Sequence, residues 1–393
     1  MNAKQINIIF IASLLSKSRL HDMFAMTGKD PGFAIQKFNR LVVEGFKKNG
    51  INVTVLSSHP YARGNKMSSV EEENGIIYKY LPLINYPIIK HLFQAIYVFF
   101  YTFFFGVVNR KNKFIVCDVL CVSSSLAAMF ASKINGIKTI AIVTDVPNHN
   151  WSGEKSWAGS INLWMIKQFD MYVLLTEQMN KVVNPKQKPY VVMEGIVDEN
   201  VNICKHNKEK ERIVLYAGGV NRLNGVNILV EAFRGLSDKN VYLDIYGSGD
   251  YKEELLEICS KNRNIRYKGV KGAEEIFQAE QDAILLANPR PLEGEYIMYS
   301  FPSKNMEYMQ SGTPLITTPL PCIPNEYSPY LYYFPSHASV EGYRTAIEEI
   351  LKLSNETLIE KGMSAQSFVN QTKNNKVQTE KIIIKLLEEG SNL

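Results

Sequence analysis

Lys304 and Glu307 lie three residues apart, so a helix would bring an ammonium and a carboxylate to one face. They fall within Asn288 to Pro319, NPRPLEGEYIMYSFPSKNMEYMQSGTPLITTP. The apolar run Ala283 to Ala287 leads into this stretch and Pro314 to Thr318 leads out, both with the length and composition of buried strands. Between them a helix is predicted to begin near Pro302, with Ser300 or Ser303 as its cap, and to stop at Gly312. The order is therefore strand, polar loop, helix, strand. A loop and helix start at the carboxyl end of a parallel strand form the place where open α/β sheets bind ligands. Free N–H groups and the positive dipole end suit a phosphate, and Lys304 adds a full charge. The alternative is an ordinary crossover helix, with Lys304 and Glu307 paired at the surface and Met306 and Met309 packed inward.

The chain has 393 residues, enough for two domains with a core each. Its 46% hydrophobic and 21% charged residues are those of an ordinary water-soluble fold. Five scattered cysteines and six histidines show no CxxC pair and no HExxH spacing, which predicts reduced thiols and no structural metal. Charge is uneven. Residues 1–113 carry 15 Lys+Arg against 6 Asp+Glu, a balance of +9, so the +5 of the whole chain leaves −4 for the rest. A basic half suits nucleic acid, anionic lipid or merely a solvated face; with no RNA- or DNA-binding signature, nucleic acid is not expected as a partner.

Ile6 to Leu15 reads as a first buried strand rather than a signal peptide, because no small-x-small cleavage site follows it. A helix over 32–49 and a strand over 51–56 complete a βαβ opening. Leu92 to Val108 is seventeen residues without a charge, dense in Phe and Tyr, with Arg110, Lys111 and Lys113 beyond it. It falls short of the roughly 20 residues of a span, which leaves a core helix or one lying at a membrane surface. Short apolar runs then alternate with helical segments as far as Met193, the pattern of a parallel sheet. Asp145 and His149 follow one such run, where polar side chains can face a cleft, although a simple Asp-x-Pro turn is the reading the local sequence favours. After a polar tract over 200–212 a second βαβ series opens at Ile213, and Gly218-Gly219 permits close approach of backbone to ligand. Three amphipathic helices close the chain.

SFPSKNMEYMQSGTPLI resembles the signature of family 4 of the GT-B glycosyltransferases, in the form found in bacterial surface-polysaccharide enzymes. The resemblance covers residues 190–335 well and the first half in outline. It implies an α/β fold of two Rossmann-like domains facing across a cleft, the first over 1–198 with a helix from about 372–393, the second over 206–371. Glu307 would hold the ribose hydroxyls of a sugar nucleotide. The glutamate that usually holds the donor sugar is replaced by Tyr299, with Glu293 or Glu295 as possible substitutes. Pro31-Gly32 partly matches the family's first glycine pair. Met193 to Asp198 resembles the hinge turn, Gly247 lies in the glycine turn near the nucleotide, and Asn224 stands where the family often has a lysine. The expected donor site is therefore Gly219, Arg222, Gly247, Arg290, Tyr299, Ser303, Lys304 and Glu307, with Lys304 also acting in catalysis and Asp145 and His149 on the acceptor side. The implied activity is metal-independent, retaining transfer of a hexose-type sugar from a nucleoside diphosphate sugar, with no cofactor, to a glycan or lipid-linked acceptor. Expected partners are that donor, that acceptor and an anionic membrane surface, and the expected location is cytoplasmic, peripheral on the inner face of the cell membrane. A non-catalytic peripheral-membrane scaffold and a sugar-nucleotide epimerase are the alternatives.

Overall fold

The structure, a computed structural model, describes residues 6–27, 33–58, 69–81, 86–108, 112–149, 155–199, 211–337 and 339–390. Pro31, Gly32, Arg110, Lys111, Cys204 and most of the polar tract 200–212 lie outside the described residues. The chain divides into two compact units, Met1–Ile196 with Asn374–Leu393, and Val197–Lys373.

The first unit opens with β1 (Asn7–Ala12), α1 (Lys17–Thr27), α2 (Phe33–Lys48) and β2 (Asn52–Ser57). A hairpin of β3 (Val70–Glu73) and β4 (Ile76–Tyr80) follows, then α3 (Pro87–Val107), β5 (Lys113–Asp118), α4 (Val122–Asn135) and β6 (Lys138–Val143). It continues through α5 (Trp157–Ile166), β7 (Met171–Leu174), α6 (Glu177–Val183) and β8 (Tyr190–Val192). The eight strands run in the order β3-β4-β2-β1-β5-β6-β7-β8, parallel except for β3. Ile8 to Ala12 are all buried, as expected of a strand covered on both faces. The strand stops earlier than the apolar run to Leu15 suggests. Beyond Ala12, polar side chains replace the ladder: Leu14 N–H donates to Ser57 Oγ at 3.3 Å and Leu15 N–H to Gln36 Oε1 at 2.8 Å. Helix α1 and the β3–β4 hairpin have no counterpart in the sequence reading. The sequence of β3, VEEE, lacks an apolar face because it is an edge strand whose charges discourage further pairing.

The second unit begins with β9 (Ile213–Ala217), α7 (Val226–Arg234), β10 (Tyr242–Tyr246), α8 (Lys252–Lys261), β11 (Ile265–Gly269) and α9 (Ala273–Asp282). Next come β12 (Leu285–Asn288), α10 (Ser303–Ser311), β13 (Leu315–Thr317), β14 (Tyr332–Tyr333), α11 (Val340–Leu351) and α12 (Asn355–Thr372). The strand order is β11-β10-β9-β12-β13-β14, all parallel. The chain leaves β9 toward β10 and β11, then returns to its other side with β12. The crevice at the carboxyl ends of β9 and β12 is therefore a topological switch point.

The last helix, α13 (Asn375–Gly390), belongs to the first unit. Its Ile382, Ile383 and Leu386 are buried in the same core as β1 and α2. Contact with α2 is close because Gly45 has no side chain, and a Cβ there would overlap the Asn375 carbonyl oxygen. Asn49 Nδ2, just beyond α2, donates to Lys376 O at 2.8 Å and to Thr379 Oγ1 at 3.0 Å.

Candidate functional site at the switch point of the second unit

Three loops converge at the carboxyl end of this sheet. The first, after β9, starts with Gly218-Gly219. Its turn is held by Asn221, whose side chain accepts from Asn224 N–H, and by Asn224 Nδ2, which donates to Gly219 O at 2.9 Å. Asn224 therefore shapes the loop by hydrogen bonds and carries no charge. The second loop, after β10, contains Gly247 at φ +123°, where a Cβ would overlap Gly218 O. The third, after β12, meets the first at Gly225, whose φ is +73° and whose missing side chain leaves room for Pro289 O. Only glycine satisfies both conditions at these two positions.

The third loop is held from below by an amide ladder. Asn288 Nδ2 donates to Asn305 Oδ1 at 2.6 Å, and Asn305 Nδ2 donates to Thr317 Oγ1 at 3.3 Å. These groups are buried, so each needs a partner there. Ile297, Leu320 and Cys322 form a small apolar cluster that pins the loop's middle. Arg290 Nη1 donates to Ser300 O at 3.2 Å, and its guanidinium lies over the Tyr296 ring.

At the start of α10 the structure corrects one detail. Neither Ser300 nor Ser303 caps the helix: Pro302 occupies the N-cap position, and the helix has no side-chain cap hydrogen bond among the described residues. Proline has no side-chain oxygen to offer; its carbonyl takes the Asn305 N–H at 2.9 Å, and the N–H groups of Ser303 and Lys304 receive no cap from it. Lys304 Nζ and Glu307 Oε2 are 2.6 Å apart on this turn, both partly buried. Burial disfavours the Lys304 charge, but Glu307, and more remotely Glu280, outweigh it and raise the pKa. The ammonium is thus held charged at the helix start. Met306 and Met309 point into the core.

The structure brings Gly219, Gly247, Arg290, Tyr299, Ser303, Lys304 and Glu307 onto the three loops and the helix start of one crevice. Arg222 belongs to the first loop, but its guanidinium pairs with Glu254 of α8 at 2.5 Å and is more than half exposed. Tyr299 donates its hydroxyl hydrogen to Glu295 Oε1 at 3.1 Å, and partial burial together with that carboxylate raises its pKa. Glu295 therefore reaches the residue at the missing glutamate's position; no such contact is seen for the exposed Glu293 among the described residues. Asp145 and His149 lie in the first unit, beyond the carboxyl end of β6. His149 N–H donates to Val146 O at 3.1 Å, closing a turn, and Asn148 has φ +65°. Protein packed around Asp145, together with the Asp118 charge, raises its pKa although its side chain keeps access to solvent.

Sequence reasoning missed Tyr308. This ring is fully buried, its hydroxyl accepts from Ala217 N–H at 2.7 Å, and it donates to Ala217 O at 3.0 Å. It ties α10 to the last residue of β9. The available signal was a hydroxyl-bearing ring between Met306 and Met309 on an otherwise apolar face. Among the described residues, no group of three His, Cys, Asp or Glu is placed to hold a metal ion.

Residues 198–365 match the family model of glycosyl transferases, group 1. No protein of curated function matches the sequence. Among solved structures, the chain is similar over nearly its whole length to known glycosyltransferases. The chain has the GT-B fold. Sucrose-phosphate synthase from Thermosynechococcus elongatus superposes with a TM-score of 0.70 at 12% identity, over 99% of this chain and 100% of that one. Anabaena HepE in complex with UDP and glucose gives 0.66 at 12% identity, over 98% and 100%. The lipopolysaccharide outer core galactosyltransferase WaaB, in its apo form, gives 0.63 at 14%, over 98% and 100%. The matched region falls inside the second unit, which contains the switch-point crevice.

Proposed function

We propose that the protein is a retaining glycosyltransferase. It moves a hexose-type sugar from a nucleoside diphosphate sugar onto a hydroxyl of a glycan or lipid-linked acceptor, in the synthesis of surface polysaccharide on the cytoplasmic face of a membrane. The observation that carries this reading is the side-chain-uncapped start of α10, with Lys304 and Glu307 on its first turns, at the switch point of the sheet. Donor phosphates would accept hydrogen bonds from the N–H groups of Ser303 and Lys304. Glu307 would accept from the ribose hydroxyls, and Arg290 and Lys304 would supply positive charge. Tyr299 with Glu295 would face the donor sugar.

In the transfer step the bond from C1 to the diphosphate oxygen breaks and a bond from C1 to the acceptor oxygen forms on the same face. The proton of the acceptor hydroxyl passes to the departing diphosphate, so no protein base is required and no metal is invoked. Negative charge grows on the leaving group as that bond lengthens. A helix dipole and an ammonium fixed beforehand stabilise this charge at no cost of reorganisation. Asp145 and His149 are assigned to the acceptor side. A non-catalytic scaffold is the second reading, favoured by Tyr299 and Asn224 in place of charged residues and by the engagement of Arg222 with Glu254.

Calorimetric titration with a panel of sugar nucleotides separates the two. The panel begins with UDP-sugars, since the HepE structure holds UDP and glucose. Binding of one donor, followed by release of free nucleoside diphosphate when an acceptor glycan or polyprenyl-linked sugar is added, is expected of the transferase. Absence of binding across the panel would support the scaffold.

A further inference from the structure

Helix α3 has the reverse of the polarity expected for a helix on a water-soluble fold. It packs against α4 through Gln94, Val98, Thr102 and Gly106, which are small or polar and nearly inaccessible to solvent. Gly106 allows the close approach: a Cβ there would crowd Asn135 of α4, whose Nδ2 donates to Phe103 O at 2.9 Å. The opposite face is made of Ile89, Leu92, Phe93, Ile96, Phe100 and Phe104, each between 43% and 60% exposed. Their spacing of three and four places them in one stripe along a helix of 21 residues. Small and polar residues between helices with large apolar ones outside is the arrangement of helices whose outer solvent is hydrocarbon. Yet among the described residues no helix is long and apolar enough to cross a membrane.

Charge decides what covers the stripe. From Glu73 to Asp118 the chain has no carboxylate between those two residues, while Lys79, Lys90, Arg110, Lys111 and Lys113 are all cationic. Lys90 is near the start of the helix. Lys113 donates to the carbonyl oxygens of Phe105 and Val108 at its end. Lys79 lies 4.9 Å from the centre of the Tyr101 ring. A second copy of the chain on this face would set the same cations against each other. An anionic lipid surface would attract them, and aromatic rings beside cations favour the headgroup level.

We infer that α3 docks the protein flat on an anionic bilayer, its Ile, Leu and Phe stripe entering the headgroup–acyl boundary. This surface is separate from the crevice of the second unit, and its role holds whether or not that crevice transfers sugar.

The test is co-sedimentation of the full chain with vesicles of phosphatidylcholine alone, or of phosphatidylcholine and phosphatidylglycerol in equal parts. The protein is expected to pellet with the anionic vesicles at low salt, to stay in solution with the neutral ones, and to be partly released by high salt. The double substitution Phe100→Ser with Phe104→Ser should weaken binding by roughly tenfold or more while leaving the thermal unfolding midpoint unchanged, because both rings are already exposed. Wild-type protein left in the supernatant with anionic vesicles would overturn the proposal. So would undiminished binding of the double variant, equal binding to neutral vesicles, or a wild-type dimer that this variant dissociates.

Discussion

At the scale of single residues, Lys304 and Glu307 make α10 the proposed donor site, and Tyr308 makes it a structural tie. Glu307 is held beside Lys304, so its carboxylate is already oriented before any donor arrives. Replacing Glu307 with Ala should cost about 1.5–3 kcal/mol of donor affinity, the range for hydrogen bonds to a charged group. Calorimetric titration checks this, and unchanged affinity in a folded variant would remove Glu307 from the site. Tyr308 acts on stability instead. In Tyr308→Phe the buried Ala217 N–H loses its acceptor, and a loss of about 1–3 kcal/mol in urea unfolding is expected. A variant as stable as wild type would mean that water or a shifted backbone replaces the hydroxyl. The Lys304–Glu307 spacing and the buried methionines were legible from the sequence because they follow from helical period alone. The partner of Tyr308 was not, since it lies 91 residues earlier and only strand order brings it there.

At the scale of elements, close packing rests on glycines and on buried polar pairs. Gly45→Ala would drive a methyl group into the Asn375 carbonyl and push α2 from α13. Overpacking of this kind costs typically 1–3 kcal/mol, which a shift of the urea midpoint would show. At the end of β5, Asp118 is buried, accepts from Asn39 Nδ2 at 2.8 Å, and has its pKa raised because burial outweighs that bond. The folded state therefore binds this proton more tightly than the unfolded chain does. Its contribution is favourable at low pH and is lost as pH climbs from the ordinary carboxylate range through the raised folded value. Asp145 adds a slope of the same sign. Asp118→Asn is expected to flatten part of that fall in a series of urea unfoldings across pH. An unaltered slope would refute the assignment. The α/β alternation of these elements was readable in the sequence. The β3–β4 hairpin also left a local signal, Asn74-Gly75 with both φ positive and the alternating burial of β4, but it went unread because the charged edge strand β3 has no apolar face.

At the scale of the whole molecule, the last helix returns to the first unit after the chain has completed the second. A chain ending at Lys373 would lose Ile382, Ile383 and Leu386 from the core around β1 and α2. Their burial is worth on the order of 5 kcal/mol together. Thermal unfolding followed by circular dichroism should show the first unit's transition lowered or absent, and an unchanged profile would mean that α13 is dispensable. The sequence by itself determined the two βαβ series, the loop-to-helix signature after β12 and the apolar character of α3, because each is a local pattern of composition and period. Tertiary structure alone decided that Pro302 leaves the start of α10 without a side-chain cap and that Arg222 turns to Glu254. It also decided that the aromatic side of α3 faces outward, for what a side chain meets across the fold depends on neighbours distant in the chain, which no local period encodes.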